Sequence, residues 1–104
     1  MQVTTTVDSR EAAEAMARSA VEARLAACAQ VAGPITSVYR WQGAIETAQE
    51  WTVAFKTTIE HYAALEAHIR DRHTYDLPEI VAVALTGSAA YLDWVRAEVG
   101  QPAG

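Results

Sequence analysis

CAQVAGPITSVYRWQGAIETAQEWTVAFKTT, running from Cys28 to Thr58, is the stretch whose reading decides the fold. Its bulky apolar residues fall on odd numbers: Val31, Ile35, Tyr39, Trp41, Ile45, Trp51, Val53 and Phe55. Gln30, Pro34, Thr36, Arg40, Glu46, Glu50, Thr52 and Lys56 take even numbers. A period of two marks a β-ribbon with one buried face. The turn falls at Gln42-Gly43. Arms of about 14 residues at about 3.4 Å each reach ~45 Å. A compact domain of this length has a radius of gyration of only ~13 Å. The hairpin is therefore expected to project past its own body, with an apolar face that a second chain must cover.

Register can be tested by parity. A two-residue loop at Gln42-Gly43 sets Tyr39 beside Glu46 and splits the apolar set between the two faces. A three-residue loop, or a bulge in one arm, pairs Trp41 with Ile45, Ile35 with Trp51 and Val31 with Phe55, and keeps the set together. The second arrangement is the expected one. Gly33-Pro34 is the natural place for a bulge, because proline cannot donate to the ladder.

Outward from the hairpin, QVTTTV (Gln2 to Val7) is a short β-branched strand. Asp8 with Glu11 reads as a capping box for a helix from Ser9 to about Ala26, with an alanine-rich face that packs close to a sheet. Thr58 caps a second helix, Ile59 to about Arg72, with Tyr62, Leu65 and Ile69 as its apolar stripe. Pro78 forbids helix at Leu77 in the loop HTYDLPE. Ile80 to Leu85 is a continuous apolar run suited to the middle of a sheet. Ser88 caps a third helix, Ala89 to Val99, and Gly100 to Gly104 reads as a loose tail. The order β-α-β-β-α-β plus a terminal helix is an α+β, ferredoxin-like split βαβ plan in one domain over residues 1–104. Two helices cover one face of a four-stranded sheet. The open face and the projecting hairpin together predict a homo-oligomer.

Composition narrows the function. The 104 residues carry a net charge of −5, which disfavours nucleic acid and anionic membranes as partners. No segment approaches ~20 apolar residues, and MQVTTTVDS is not a basic region followed by an apolar stretch, so a cytoplasmic protein is expected. The single cysteine, Cys28, permits no internal disulfide and reads as a structural thiol. His61 and His68 lie ~10.5 Å apart along a helix, too far for one metal ion, and read as surface histidines.

Four motifs, RLAACAQ (Arg24 to Gln30), SVYRWQG (Ser37 to Gly43), FKTT (Phe55 to Thr58) and HTYDLPEI (His73 to Ile80), occur in order, with YLDW (Tyr91 to Trp94) after them. Together they resemble the CutA-type divalent-cation tolerance proteins over essentially the whole chain. The resemblance implies a ferredoxin-like subunit in a tight trimer, similar in architecture to the nitrogen-regulatory PII signalling trimers, linked to tolerance of copper and other divalent cations and without settled catalytic activity. Thr5 stands where some relatives carry a cysteine, and Arg72 where some carry a histidine. Of that copper-ligand set only Glu79 remains here.

The densest group of metal-capable side chains is His73, Asp76 and Glu79, expected to coordinate a divalent ion such as copper or zinc between neighbouring chains. A competing reading is a trimer that binds a small anionic metabolite through Lys56, Arg72 and His73, with Tyr75 beside them. Lys56 is the only lysine, and alone it reads as an edge-strand charge that discourages mispairing. Tyr39, Trp41, Trp51 and Trp94 are the expected interface anchors. No Ser/His/Asp order, Gly-rich phosphate loop, HExxH or CxxC is present, so no enzymatic activity is expected.

Overall fold

The computed structural model describes residues 1–100. QVTTTV forms β1 (Gln2–Val7), and the chain turns into α1 (Arg10–Glu22). Ser9, not Asp8, is the cap: its Oγ accepts the Ala12 N–H at 3.1 Å. A hydroxyl at this position satisfies an amide that the first helical turn leaves free. The helix ends short of Ala26 because Arg24 adopts φ 58°. Leu25 N–H then reaches Ala20 O and Arg24 N–H reaches Val21 O, both at 3.0 Å, which is a Schellman ending.

The long ribbon is β2 (Cys28–Trp41) and β3 (Ala44–Lys56). A single 3-10 turn, Ile59–His61, leads into α2 (Tyr62–Arg72); β4 (Val81–Val83) and α3 (Ala89–Glu98) follow. Ser88 caps α3 by accepting the Tyr91 N–H at 3.2 Å. Of the expected tail, Gly100 donates to Arg24 O at 2.9 Å, and residues 101–104 lie outside those described.

The strands form one antiparallel sheet in the order β2-β3-β1-β4, the ferredoxin-like split βαβ plan. Its core joins Val3, Val7, Val53 and Phe55 of the sheet to Ala13, Met16 and Ala20 of α1 and Leu65 and Ile69 of α2. Both helices therefore lie on one face. His68 is not a free surface histidine. Ser19 Oγ donates to Met16 O at 2.9 Å, so it must accept from His68 Nε2–H at 2.8 Å. Burial, then the nearby Arg72 charge, lowers the His68 pKa.

Two expectations about the sheet are corrected. Ile80 to Leu85 does not supply a central strand. Only Val81–Val83 pairs, with β1 alone, so the run forms an exposed edge. The hairpin closes by a two-residue turn. Trp41 pairs with Ala44 and Tyr39 with Glu46, with positive φ at Gln42 (49°) and Gly43 (82°), as the mirror-image hairpin turn requires. The bulge does fall at Gly33-Pro34, between the Ala32–Thr52 and Ile35–Glu50 pairs. Ile35 thus faces Glu50 rather than Trp51, Val31 faces Val53 rather than Phe55, and Trp41 faces Ala44 rather than Ile45.

One inserted residue inverts the facing of all that follows it. Ala29 and Val31 share the helix-covered face with Phe55 and Val53. Beyond the bulge, Ile35, Tyr39 and Trp41 share the opposite, open face with Glu50, Glu46 and Ala44. The distal ribbon stands beyond the body: the molecule measures 49 × 27 × 21 Å, and Val38 and Ile45 are each 67 % exposed.

Gly33 is where the ribbon is tightest. A Cβ there would sit 2.5 Å from Trp51 Cδ1 and 2.8 Å from Cγ, at φ +155°, whereas a Cβ on Gly43 meets nothing within 4 Å. Gly33→Ala is therefore expected to cost about 1–3 kcal/mol through overpacking. Gly43→Ala should cost only the ~1 kcal/mol of a left-handed alanine. Chemical denaturation of both variants at one protein concentration measures the two losses. A Gly33→Ala no worse than Gly43→Ala would show that Trp51 does not press on the bulge.

Candidate functional site: an acidic, aromatic-walled cleft

The segment between α2 and β4 carries HTYDLPE. It crosses the end of β1 and reaches β3. His73 anchors it: Nε2–H donates to Thr6 O at 2.7 Å, and Nδ1 accepts the Tyr75 N–H at 3.1 Å. The two rings lie 4.7 Å apart, tilted by 53°. Tyr75 then donates its hydroxyl to Glu50 Oε2 at 2.9 Å. A run of hydrogen bonds thus ties β1 to β3 through the loop.

Glu50 sits on the open face immediately after the bulge, only 8 % exposed. Among the described residues no arginine, lysine or histidine forms an ion pair with it; the six pairs present all involve other carboxylates. Tyr75 answers one of its oxygens. Burial first, then the hydrogen bond to Glu50 and its negative charge, raise the Tyr75 phenol well above its ordinary 10.0, so it remains a donor.

Ribbon and loop enclose a cleft of about 730 Å³. Tyr39, Trp41 and Tyr75 supply aromatic wall, Val38 and Leu77 aliphatic wall, and Glu50, Asp76 and Glu79 carboxylates. Among the described residues no lysine or arginine lines it. Asp76 and Glu79 are exposed.

The expected metal set does not assemble as drawn from the sequence. A neutral imidazole has one lone pair for a metal, and that of His73 is spent on the Tyr75 amide while its N–H is spent on Thr6. His73 is a structural anchor, which leaves Asp76 and Glu79. Among the described residues no three His, Cys, Asp or Glu side chains are grouped to hold a metal ion. Thr5 lies fully buried against the core, its hydroxyl without a hydrogen-bond partner.

The anion set is dispersed as well. Lys56 lies six residues from Glu50 along β3, ~20 Å away. It is in an inner strand rather than an edge, donates to Gln30 Oε1 at 3.1 Å, and lines a separate cavity of about 250 Å³. Arg72 is exposed and pairs with Asp71 at 3.6 Å. Within one chain Lys56, Arg72 and His73 do not form a pocket.

Of the expected interface residues, Tyr39 and Trp41 stand on the ribbon, 44 % and 40 % exposed. Trp51 is withdrawn: it is half-buried, packs against the core and covers Gly33. Trp94 stacks on Tyr91 at 5.6 Å on α3. Tyr91 OH lies 3.4 Å from Cys28 Sγ, which makes Cys28 a half-buried thiol. The residue that sequence reasoning passed over is Glu50. On parity it was one more polar group on the solvent side, and no local signal marks its pairing with a tyrosine 25 residues away.

A ferredoxin-like domain with an overlong ribbon and an acidic, aromatic-walled cleft is the class of protein this geometry defines. The family model for the CutA1 divalent ion tolerance protein matches residues 1–98. The chain is 42 % identical over 96 residues to the divalent-cation tolerance protein CutA of Thermus thermophilus, covering 91 % of this chain and 93 % of that protein. It is 38 % identical over 92 residues to the chloroplastic CutA of Arabidopsis thaliana, covering 88 % of this chain and half (50 %) of that longer protein. The solved divalent cation tolerance protein of Thermus thermophilus superposes with a TM-score of 0.92 at 41 % identity, over 96 % of this chain and all (100 %) of that one. The chain belongs to the CutA1 divalent ion tolerance family.

Removing the Tyr75 hydroxyl should leave a buried carboxylate oxygen without its donor. Tyr75→Phe is therefore expected to cost about 1–3 kcal/mol. The folded-state pKa of Tyr75 lies above the unfolded 10.0, so its contribution is complete below pH 10 and is lost as pH rises through the higher folded value. Denaturation midpoints from pH 7 to 11 should fall less steeply for Tyr75→Phe than for the parent. Parallel curves would show that Tyr75 adds nothing to the alkaline decline.

Proposed function

We propose that the chain serves divalent-cation tolerance as a homotrimeric binding or sensing module without catalytic activity, acting in the cytoplasm. Asp76 and Glu79 would meet the cation at the mouth of the cleft, and a neighbouring chain would complete the site. The observation that carries this reading is that the cleft gathers carboxylates, yet among the described residues of one chain no three donors are grouped for an ion. An oxygen donor set suits hard or borderline divalent ions, zinc or Cu²⁺, held weakly. It offers no thiolate to Cu⁺. The names of relatives such as the Thermus thermophilus protein support the cation class.

Assembly is supported by the ribbon and by the sheet edges. Tyr39 and Trp41 stand exposed above the open face. The sheet ends in one open edge at β2 and another at β4. Head-to-tail contacts that use two different edges close into rings. The number three rests on the resemblance to the trimeric CutA type. No described helix is long and apolar enough to cross a membrane. The one cysteine is free and half-buried, so the fold asks for no oxidising compartment, although the Arabidopsis relative is named chloroplastic.

Light scattering at micromolar concentration should return three times the chain mass; the mass of one chain would overturn the assembly. Zn²⁺ or Cu²⁺ at ten times its Kd should stabilise the protein by about 1.4 kcal/mol, a melting rise of a few degrees. That rise should vanish in Asp76→Asn with Glu79→Gln. An undiminished rise in that double variant would place the ion elsewhere.

A further inference from the structure

His73 uses both ring nitrogens, and its partners fix which one carries the hydrogen. Thr6 O is a carbonyl and can only accept, so Nε2 is the donor at 2.7 Å. The Tyr75 N–H can only donate, so Nδ1 offers its lone pair at 3.1 Å. One tautomer alone serves both bonds, and it is neutral. An imidazolium has two donors and no lone pair. Proton uptake at Nδ1 keeps the bond to β1 but sets two N–H groups against each other on the loop side.

We infer that His73 is a proton-operated latch on the loop between α2 and β4. Neutral, it holds the Tyr75 amide and so places the phenol that donates to Glu50 Oε2 at 2.9 Å. Charged, it stays on Thr6 and releases the Tyr75 amide. The Tyr75 ring lies 4.7 Å from the imidazole, and an aromatic face attracts a cation, so release begins at the amide rather than at the ring. The latch needs no ion and stands or falls apart from the cation reading, although the loop it holds carries Asp76 and Glu79.

The charges around the ring come from few directions. From α1, Ala12, Ala15, Met16 and Ser19 line the cavity of about 320 Å³ beside it, and none of them ionises. Ser19 there accepts from His68 of α2. Arg72, next in the chain, opposes a charge on His73 and is itself paired with Asp71 at 3.6 Å. From the strand side, Glu50 lies behind Tyr75, and Asp8 and Tyr39 are near enough to act on that phenol. The carboxylates Glu50 and Asp8 favour the imidazolium.

The test is a nuclear magnetic resonance titration of the nitrogen-15-labelled, assembled protein from pH 8 to pH 5, with a chelator present. A histidine side chain in water gains its proton near pH ~6.5, inside this window. At pH 8 the His73 ring should show the Nε2–H tautomer. As the ring takes its proton, the Tyr75 amide should lose at least tenfold of its protection against hydrogen exchange, taken against the intrinsic rate at each pH. The amides of Val53 and Phe55 in the core should keep theirs. In His73→Gln the side chain still offers one N–H and one carbonyl but does not titrate, and the step at Tyr75 should disappear. Should that variant fail to fold, the unaltered protein decides the matter, because the amide must follow the same curve as the His73 ring. An Nδ1–H tautomer at pH 8 overturns the inference, as does a ring that takes no proton above pH 5. So does a Tyr75 amide that keeps its protection while the ring titrates. A step that survives His73→Gln assigns the change to a carboxylate such as Glu50 or Asp8 and overturns it as well.

Discussion

The approach of Gly33 to Trp51 governs the rest of the structure. Two residues of β2 oppose one residue of β3 there, and only a residue without a Cβ lets the indole lie so close. The energy at stake in that contact is modest, about 1–3 kcal/mol. Its geometric consequence is large, because a one-residue slip turns every later side chain to the other face. Ahead of the bulge, β2 gives its apolar residues to the helix-covered core. Beyond it, Ile35, Tyr39 and Trp41 go to the open face. Glu50, the residue of β3 just before Trp51, faces them. An aromatic wall and a carboxylate meet because of that single insertion.

Loop Thr74–Glu79 turns this meeting into a cleft. A loop of this length loses conformational freedom when ordered, at about 1–2 kcal/mol per residue. Part of that cost is offset by a run of three hydrogen bonds from Thr6 through His73 and Tyr75 to Glu50. Counting lone pairs along it decides the role of His73. The imidazole has one donor and one acceptor, and both are used within the fold. The motif that looks most like a metal ligand set is thereby a hinge pin, and the groups it leaves outward are carboxylates.

The order of the elements was legible because it rests on local signals: period-two alternation in the ribbon, Ser88 before α3, Pro78 after α2. The position of the bulge was legible for the same reason, since Gly33-Pro34 is local chemistry. Its consequence was not. Keeping Val31, Ile35, Tyr39 and Trp41 on one face assumes that an apolar residue is buried by its own chain, and that assumption selected the wrong turn at Gln42-Gly43. The same assumption promoted Ile80 to Leu85 to the middle of the sheet, where the fold has an exposed edge at Val81–Val83. Both errors have one physical cause. Apolarity in these segments exceeds what the chain itself covers. In the site, Asp76 and Glu79 could be read from a single loop, whereas Glu50 depends on a contact across 25 residues that no local pattern announces.

That excess of apolar surface and the unpaired carboxylate are two sides of one design constraint. A subunit that buried Tyr39 and Trp41 in its own core would have no wall for the cleft. A subunit that paired Glu50 with its own arginine would have no charge to offer. Leaving both unsatisfied costs stability to the isolated chain, since exposed rings forgo roughly 25 cal/mol for each Å² left in water. Assembly can recover the apolar part by covering the ribbon. It cannot neutralise Glu50 unless a neighbouring residue or a ligand brings positive charge. The need for apolar cover and the need for a countercharge therefore meet at the same short segment of β3, where Trp51 faces inward and Glu50 faces the cleft.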